Sequence, residues 1–429
     1  MYTAIVGRIH TRPLEGSDNI QIGNILGYTV IVGKDTRDGE LVLFFEAGGQ
    51  LSSEYADKNN LVSRKDDQGN RIGGFFAENR KVSHLKLRGV LSEGYVAPLN
   101  SVGYTGVDIT KILVEGYEFD ALNSHPISNR YETEATKRAS ANRQVVRRPG
   151  EMKGFLKQPD IPQLRHVINT IPDDGVLYFT AKHHGTSGRL SRVLVEKPST
   201  VWWRKLAEKY LHFPLKREYV YLNGSKNVIL EGRSDSSKDF YGTDAFRFNA
   251  TKNIILRKGE TLYFELTGWV EKGKPIMSPQ DTTSLKDKKV SARFGPKITY
   301  SYGQEEGTCG LWVYRITMTD EDGRQTDLSW QQVKERCQQL GLRHVPELGS
   351  IILNAEVKNT LLERVDLLVN GIDGIVPSKV DSRHLEEGIV IRCESTGGTL
   401  WIKQKSTLFY FLEGVVKDDP TVIDMEESS

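Results

Sequence analysis

The strongest constraint on the fold lies at residues 176–189. An apolar run of β-formers, Val176-Leu177-Tyr178-Phe179, leads directly into Thr180-Ala181-Lys182-His183-His184-Gly185-Thr186-Ser187-Gly188-Arg189. The run reads as a buried strand that ends in a lysine, two histidines and a small-polar turn. A lysine at the tip of an apolar strand is partly desolvated, which favours the neutral amine and makes it usable as a nucleophile. Gly185 and Gly188 allow a sharp turn and a close approach to a ligand, and Thr186 and Ser187 offer hydroxyls. A surface turn bearing a solvated lysine would read the same way, so further strands must decide.

The chain is 429 residues long, enough for two or three domains. It has no apolar run of 18 residues and no basic, apolar leader at its start, so a membrane span is not expected and a cytoplasmic location is. Cys309, Cys337 and Cys393 are scattered and odd in number, which argues against a disulfide framework or a structural zinc site. The net charge is only +2, so any contact with nucleic acid must use local positive charge.

Residues 1–120 read as short strands broken by glycine and polar turns, among them the run 24–33 and Glu40-Leu41-Val42-Leu43-Phe44-Phe45-Glu46. This spacing suggests a small closed barrel. Arg12-Pro13-Leu14-Glu15-Gly16-Ser17-Asp18-Asn19 and the strands after it resemble OB-fold domains of the tRNA-binding and ligase-associated kind. Lys86-Leu87-Arg88-Gly89 looks like the basic hairpin of that lineage. Residues 121–155 read as a basic linker that includes Arg147 and Arg148, residues 156–415 as a second domain, and residues 416–429 as an acidic tail with a disordered end. Helices are expected at 161–168, at 200–211, after the cap Ser329 and after the cap Asn354.

Four strands of the second domain carry polar residues where a plain core strand would not. Glu265 sits within Thr261–Trp269, Tyr314 within Gly310–Thr317, and Glu386-Glu387 opens the run to Arg392. Lys403 and Lys405, at i and i+2, share one face of a strand, which suits an anion between them. Two decoys fail. Gly268–Pro275 nearly matches a P-loop but has Pro275 where a hydroxyl belongs, and His183-His184 has no third ligand at metal-site spacing. His183 is expected to be structural or outward-facing.

The order of these segments resembles the covalent nucleotidyltransferases, and Lys182 to Gly185 matches their KxxG signature. The form with His184 and Thr186 is similar to RNA ligases, in particular to the fifth RNA ligase family, nick sealers with an N-terminal OB domain. The fold class implied is α+β: an OB barrel, then an antiparallel-sheet nucleotidyltransferase domain with flanking helices. The resemblance implies Lys182, Lys403 and Lys405 as catalytic residues. It implies Ala181, His184, Gly185, Thr186, Ser187, Arg233, Glu265, Tyr314 and Glu387 as nucleotide-binding, with Glu387 also holding Mg²⁺ (or Mn²⁺) through water. Ala181 stands where several relatives have a glutamate, so adenine would be read through backbone groups. Arg189, Lys86, Arg88, Arg147 and Arg148 are expected to touch nucleic acid. The implied cofactor is ATP, and the implied partner is a nicked duplex with an RNA 3′-OH strand, joined to a 5′-phosphate by a monomeric enzyme. A DNA ligase or RNA guanylyltransferase, or a binding protein with a decayed enzyme half, are the alternatives.

Overall fold

The computed structural model describes residues 2–65, 68, 71–133, 137, 150–197, 215–230, 245–285 and 287–418. The helix expected at 200–211, Arg147, Arg148, Arg233 and the acidic tail beyond 418 lie outside them. The described residues divide into two compact units, one within Met1–Arg138 and Tyr410–Val422, the other within Ala139–Phe409. Both are built mainly from antiparallel strands with a few helices. No helix among the described residues is long and apolar enough to cross a membrane.

In the first unit, the strand Leu41–Glu46 lies between Ala4–Arg8 and Gly94–Pro98 in a four-stranded sheet. Its five consecutive apolar residues follow from strand alternation. Leu43 and Phe45 pack with Val6, Leu51 and Tyr55, whereas Val42 and Phe44 pack with Ile9, Tyr28 and Val30. The strand is therefore buried on both faces. The run 24–33 does not form one strand, because Leu26 and Gly27 take φ of 51° and 79° and turn Ile20–Ile25 back on Tyr28–Gly33. The strands do not close into a barrel among the described residues. Leu85–Leu87 and Val90–Ser92 form the expected hairpin, turned by Arg88 and Gly89 at φ 49° and 82°, with Lys86 and Arg88 exposed.

In the second unit we number the strands that matter to the site: β1 (Val176–Lys182), β2 (Thr186–Lys197), β3 (Lys216–Ser225), β4 (Glu260–Glu271), β5 (Cys309–Thr319), β6 (Glu347–Ile352), β7 (Gly388–Ser395) and β8 (Gly398–Lys405). One sheet has the order β6-β1-β7-β8, and β3-β2-β4-β5 form the middle of the other. Helix α1 spans Ala245–Thr251, α2 spans Trp330–Leu340 and α3 spans Ala355–Asn370.

Leu177 of β1, Ile389, Ile391 and Cys393 of β7 and Ile402 of β8 pack against Leu361, Val365 and Val369 of α3. Alternation then turns Thr180 and Lys182, Val390 and Arg392, and Trp401, Lys403 and Lys405 to the other face. Both long helices begin as their sequences suggest. Ser329 and Gln332 form a reciprocal capping box on α2, and Asn354 accepts from the Val357 amide at 2.9 Å on α3. The expected helix at 161–168 is shorter, Leu164–Val167, because the Pro162 carbonyl instead accepts from the Lys403 amide at 2.9 Å.

Candidate active site

The tips of β1, β7 and β8 meet in register: Lys182 lies opposite Gly388, and Gly388 opposite Lys405. Gly388 lets the β8 backbone approach closely: a Cβ there would lie 2.2 Å from the Gln404 carbonyl oxygen. Glu387 lies just before Gly388, fully buried, with Oε1 2.5 Å from the Lys182 Nζ and 3.3 Å from the Lys405 Nζ. A carboxylate with no solvent exposure is tolerable because two ammonium groups share its charge. A protein carboxylate thus lies between Lys182 and Lys405. A negative charge at 2.5 Å also favours the protonated form of Lys182, opposing the effect of desolvation.

Lys182 and Lys405 line a cleft of about 1210 Å³, open mouth included, together with Ala181, Gly185, Ser187, Glu265, Tyr314 and Lys403. The cleft lies between the faces of the two sheets. Ser187 pairs with Glu265 across β2 and β4, and its hydroxyl donates to the Glu265 carboxylate at 2.8 Å. Tyr314 of β5 is half-buried beside them, and burial followed by the Glu265 charge raises its phenol above the usual range. Gly185 is required by contact: a Cβ there would lie 2.3 Å from the Leu266 carbonyl oxygen.

His184 and Thr186 lie behind the cleft wall. The His184 amide donates to the Tyr302 hydroxyl at 2.6 Å, its ring meets Tyr300 and Phe409 edge-on, and its Nδ1 is 3.9 Å from Glu387 Oε2. Thr186 accepts from Arg247 of α1 at 2.6 Å, and the same guanidinium donates to the Ser187 carbonyl at 2.9 Å. These two residues shape the turn after Lys182. His183 is buried rather than outward-facing, packed on Tyr302 and Trp312, and burial, then His384, Lys182 and Arg343, lower its imidazole to about 3.

The expectation for Arg189 is corrected. It is 1% exposed, lies over the Phe155 ring, and donates to the carbonyls of Ser225 and Gly150 at 2.9 Å each. Position 189 pairs β2 with β3 and β4, so the side chain enters the interior and braces backbone instead of reaching nucleic acid.

Sequence reasoning missed Arg247, Tyr302, Arg392 and Trp401. Period-2 alternation would have found the last two, since Arg392 follows Val390 and Trp401 precedes Lys403 by two residues on cleft-facing rows. Arg247 and Tyr302 carry no local signal, because each reaches the Lys182 turn from a distant segment.

Three lysines around the cleft supply cations of the kind that pair with phosphate oxygens. A family model described as RNA ligase matches residues 176–405, more than half of the chain. The chain belongs to the RNA ligase family. Among solved structures it resembles a ligand-free mutant of a Naegleria gruberi RNA ligase, with a TM-score of 0.56 and 15% identity over 95% of this chain and 97% of that one. It also resembles mutants of a Naegleria gruberi RNA ligase solved with ATP and Mn, and with AMP and Mn, each with a TM-score of 0.53 and 14% identity. The coverage is 95% of this chain in both cases, and 98% and 97% of those chains. At these identities the likeness is one of fold. No curated protein matches the chain.

Proposed function

We propose that this chain is an ATP-dependent RNA ligase that seals 3′-OH/5′-phosphate nicks through a lysyl-AMP intermediate. The observation that carries the reading is the register of Lys182, Gly388 and Lys405, which sets two amines on one buried carboxylate at the edge of the cleft. The Lys182 Nζ, once neutral, attacks the α-phosphorus of ATP; the N–P bond forms as the bond to pyrophosphate breaks. Glu387 holds the amine in place and takes up the proton that leaves it neutral, and Lys405 and Lys403 neutralise the phosphoryl oxygens. Ser187 and Glu265 face the ribose hydroxyls, and Tyr314 stacks on the base. The AMP then passes to the 5′-phosphate of the nick, and the 3′-OH displaces it.

The donor set fits a divalent ion. Among the described residues, Glu387 Oε2 is buried with no hydrogen-bond partner, and no three His, Cys, Asp or Glu are spaced to hold an ion without help. Mg²⁺ or Mn²⁺ would be held near Glu387 largely through water and phosphate oxygens, supplying charge neutralisation.

The exposed hairpin bearing Lys86 and Arg88 supports nucleic-acid contact by the first unit, which we read as an OB-type domain of the nick-sealing fifth family. Incubation with α-labelled ATP or GTP, followed by a denaturing gel, tests the reading. Covalent label from ATP alone is expected; label from GTP alone would indicate a guanylyltransferase, and no label would refute nucleotidyl transfer.

A further inference from the structure

The cleft is bordered by a chain segment that catalysis by the lysines does not use. The Leu156 carbonyl accepts from the Tyr263 hydroxyl of β4 at 3.0 Å, and the Pro162 carbonyl accepts from the Lys403 amide of β8 at 2.9 Å. The segment between them therefore runs from one sheet to the other, and Gln158, Pro159, Asp160 and Ile161 line the cleft. Gln158 is held by a fixed chain of groups. Arg315 of β5 binds Asp327 twice, Nε to Oδ1 at 2.6 Å and Nη2 to Oδ2 at 3.1 Å, and its Nη1 donates to Gln158 Oε1 at 2.8 Å. The same guanidinium lies 4.7 Å from the ring centres of both Tyr263 and Trp401. An arginine only donates, so the atom of the Gln158 amide that meets it is the oxygen. That leaves the NH₂ end on the accessible side. Nε2 has no hydrogen-bond partner among the described residues and is not buried, in a half-buried side chain that lines the cleft.

The strands relate this donor to both ends of a bound nucleotide. Tyr314 lines the cleft, and its neighbour Arg315 reaches Trp401, a cleft residue of the facing sheet. Strict alternation would turn these neighbours to opposite faces. The β4–β5 register shifts here, with Tyr263 opposite Arg315 and Phe264 opposite Val313, so Tyr314 is the extra residue of a bulge and both side chains turn inwards. Trp401 precedes Lys405 by four residues on one strand face, roughly 13 Å along β8.

We propose that Gln158 is a specificity-determining residue that reads the nucleobase, its Nε2 donating to N1 of adenine. This rests on the nucleotidyl-transfer reading above. A nucleotide whose α-phosphate meets Lys182 and Lys405, and whose base lies under Tyr314, brings the edge of that base to the amide. A free glutamine can turn either end to a ligand, but one whose oxygen is bound to Arg315 offers only N–H. Adenine N1 is an acceptor. Guanine carries hydrogen on N1 and an amino group beside it, so the fixed amide would meet donors with a donor and reject it. A donor here complements Ala181, whose side chain offers no hydrogen bond to the base.

The test uses the wild-type protein with ATP, 1-deaza-ATP and 7-deaza-ATP, reading both equilibrium binding and the efficiency of covalent labelling. 1-Deaza-ATP should lose about tenfold or more in both, because a C–H replaces the acceptor, and 7-deaza-ATP should stay within about twofold of ATP. Gln158→Glu keeps an oxygen for Arg315 and turns an acceptor to the base. Its labelling by ATP should fall to that by 1-deaza-ATP, the ratio of the two approaching one, while labelling by GTP rises relative to ATP. Wild-type protein that handles ATP and 1-deaza-ATP within about twofold of each other, or a loss confined to the 7-deaza analogue, would overturn the proposal and leave the ligase reading intact. Neither binding nor labelling by ATP would overturn both. Since the analogue comparison needs no variant, misfolding of a substituted protein cannot rescue the idea.

Discussion

Replacing Gly388 by alanine should separate the geometry of the site from the stability of the sheet. A Cβ at this position would lie 2.2 Å from the Gln404 carbonyl oxygen and 2.6 Å from the Lys405 Cα. Contacts of this kind are essentially never shorter than 3.0 Å, so β8 would have to move by 3.0 − 2.2, or 0.8 Å, at the Gln404 carbonyl and by 3.0 − 2.6, or 0.4 Å, at the Lys405 Cα. A displacement near 1 Å of a catalytic group costs about 10²-fold in rate. Overpacking and the φ of 152° together should remove about 2–5 kcal/mol of stability. Gly398→Ala is the control: its φ is 119°, but no described residue lies within 4 Å of where its new methyl group would sit, at the far end of the β7–β8 hairpin. It should lose stability with labelling by ATP nearly unchanged when both variants are assayed well below their unfolding temperatures. A folded Gly388→Ala protein that labels at the wild-type rate would refute the claim that the tips of β1, β7 and β8 set Lys182 and Lys405 for catalysis.

Three further outcomes follow from the same geometry. Burial pushes Glu386 up to about 7, so between its ordinary 4.5 and 7 the folded protein keeps a proton that the unfolded chain releases, and stability falls as pH rises. Glu386→Gln removes that fall, and its stability relative to wild type should climb by about 3 kcal/mol from pH 4.5 to 7 in urea titrations; a flat difference would contradict it. His183, held near 3, acts with the opposite sign below pH 6.5 in both proteins and cancels in the comparison. Arg247→Ala, which strips two hydrogen bonds from the Lys182 turn, should cost about 2–4 kcal/mol in chemical unfolding. Lys86→Ala with Arg88→Ala should weaken binding of nicked RNA and lower the salt slope by about one per cation, without slowing self-labelling by ATP.

Much of the second unit is legible in the chain because its signals are local. The caps Ser329 and Asn354, the apolar spacing of α3 and the strand ending in Lys182 all depend on neighbours within a few residues. Lys403 and Lys405 share a face for the same reason, by alternation alone. What sequence does not carry is the partner across the fold. The pairing of Lys405 with Glu387 comes from the β7–β8 register, and the inward path of Arg189 comes from its place in a central strand. Leu26 at positive φ is another such case: nothing in a bulky apolar residue announces a turn, and only the pairing of its flanking strands requires it.

The central claim is that one amine, that of Lys182, becomes bonded to AMP. Peptide mass mapping after incubation with ATP and Mg²⁺, before and after addition of nicked RNA duplex, measures this directly. The account predicts one adenylyl group on the peptide containing Lys182, discharged when the nick is added. An adenylyl group on any other residue, or none on Lys182 in protein that binds ATP, would contradict it.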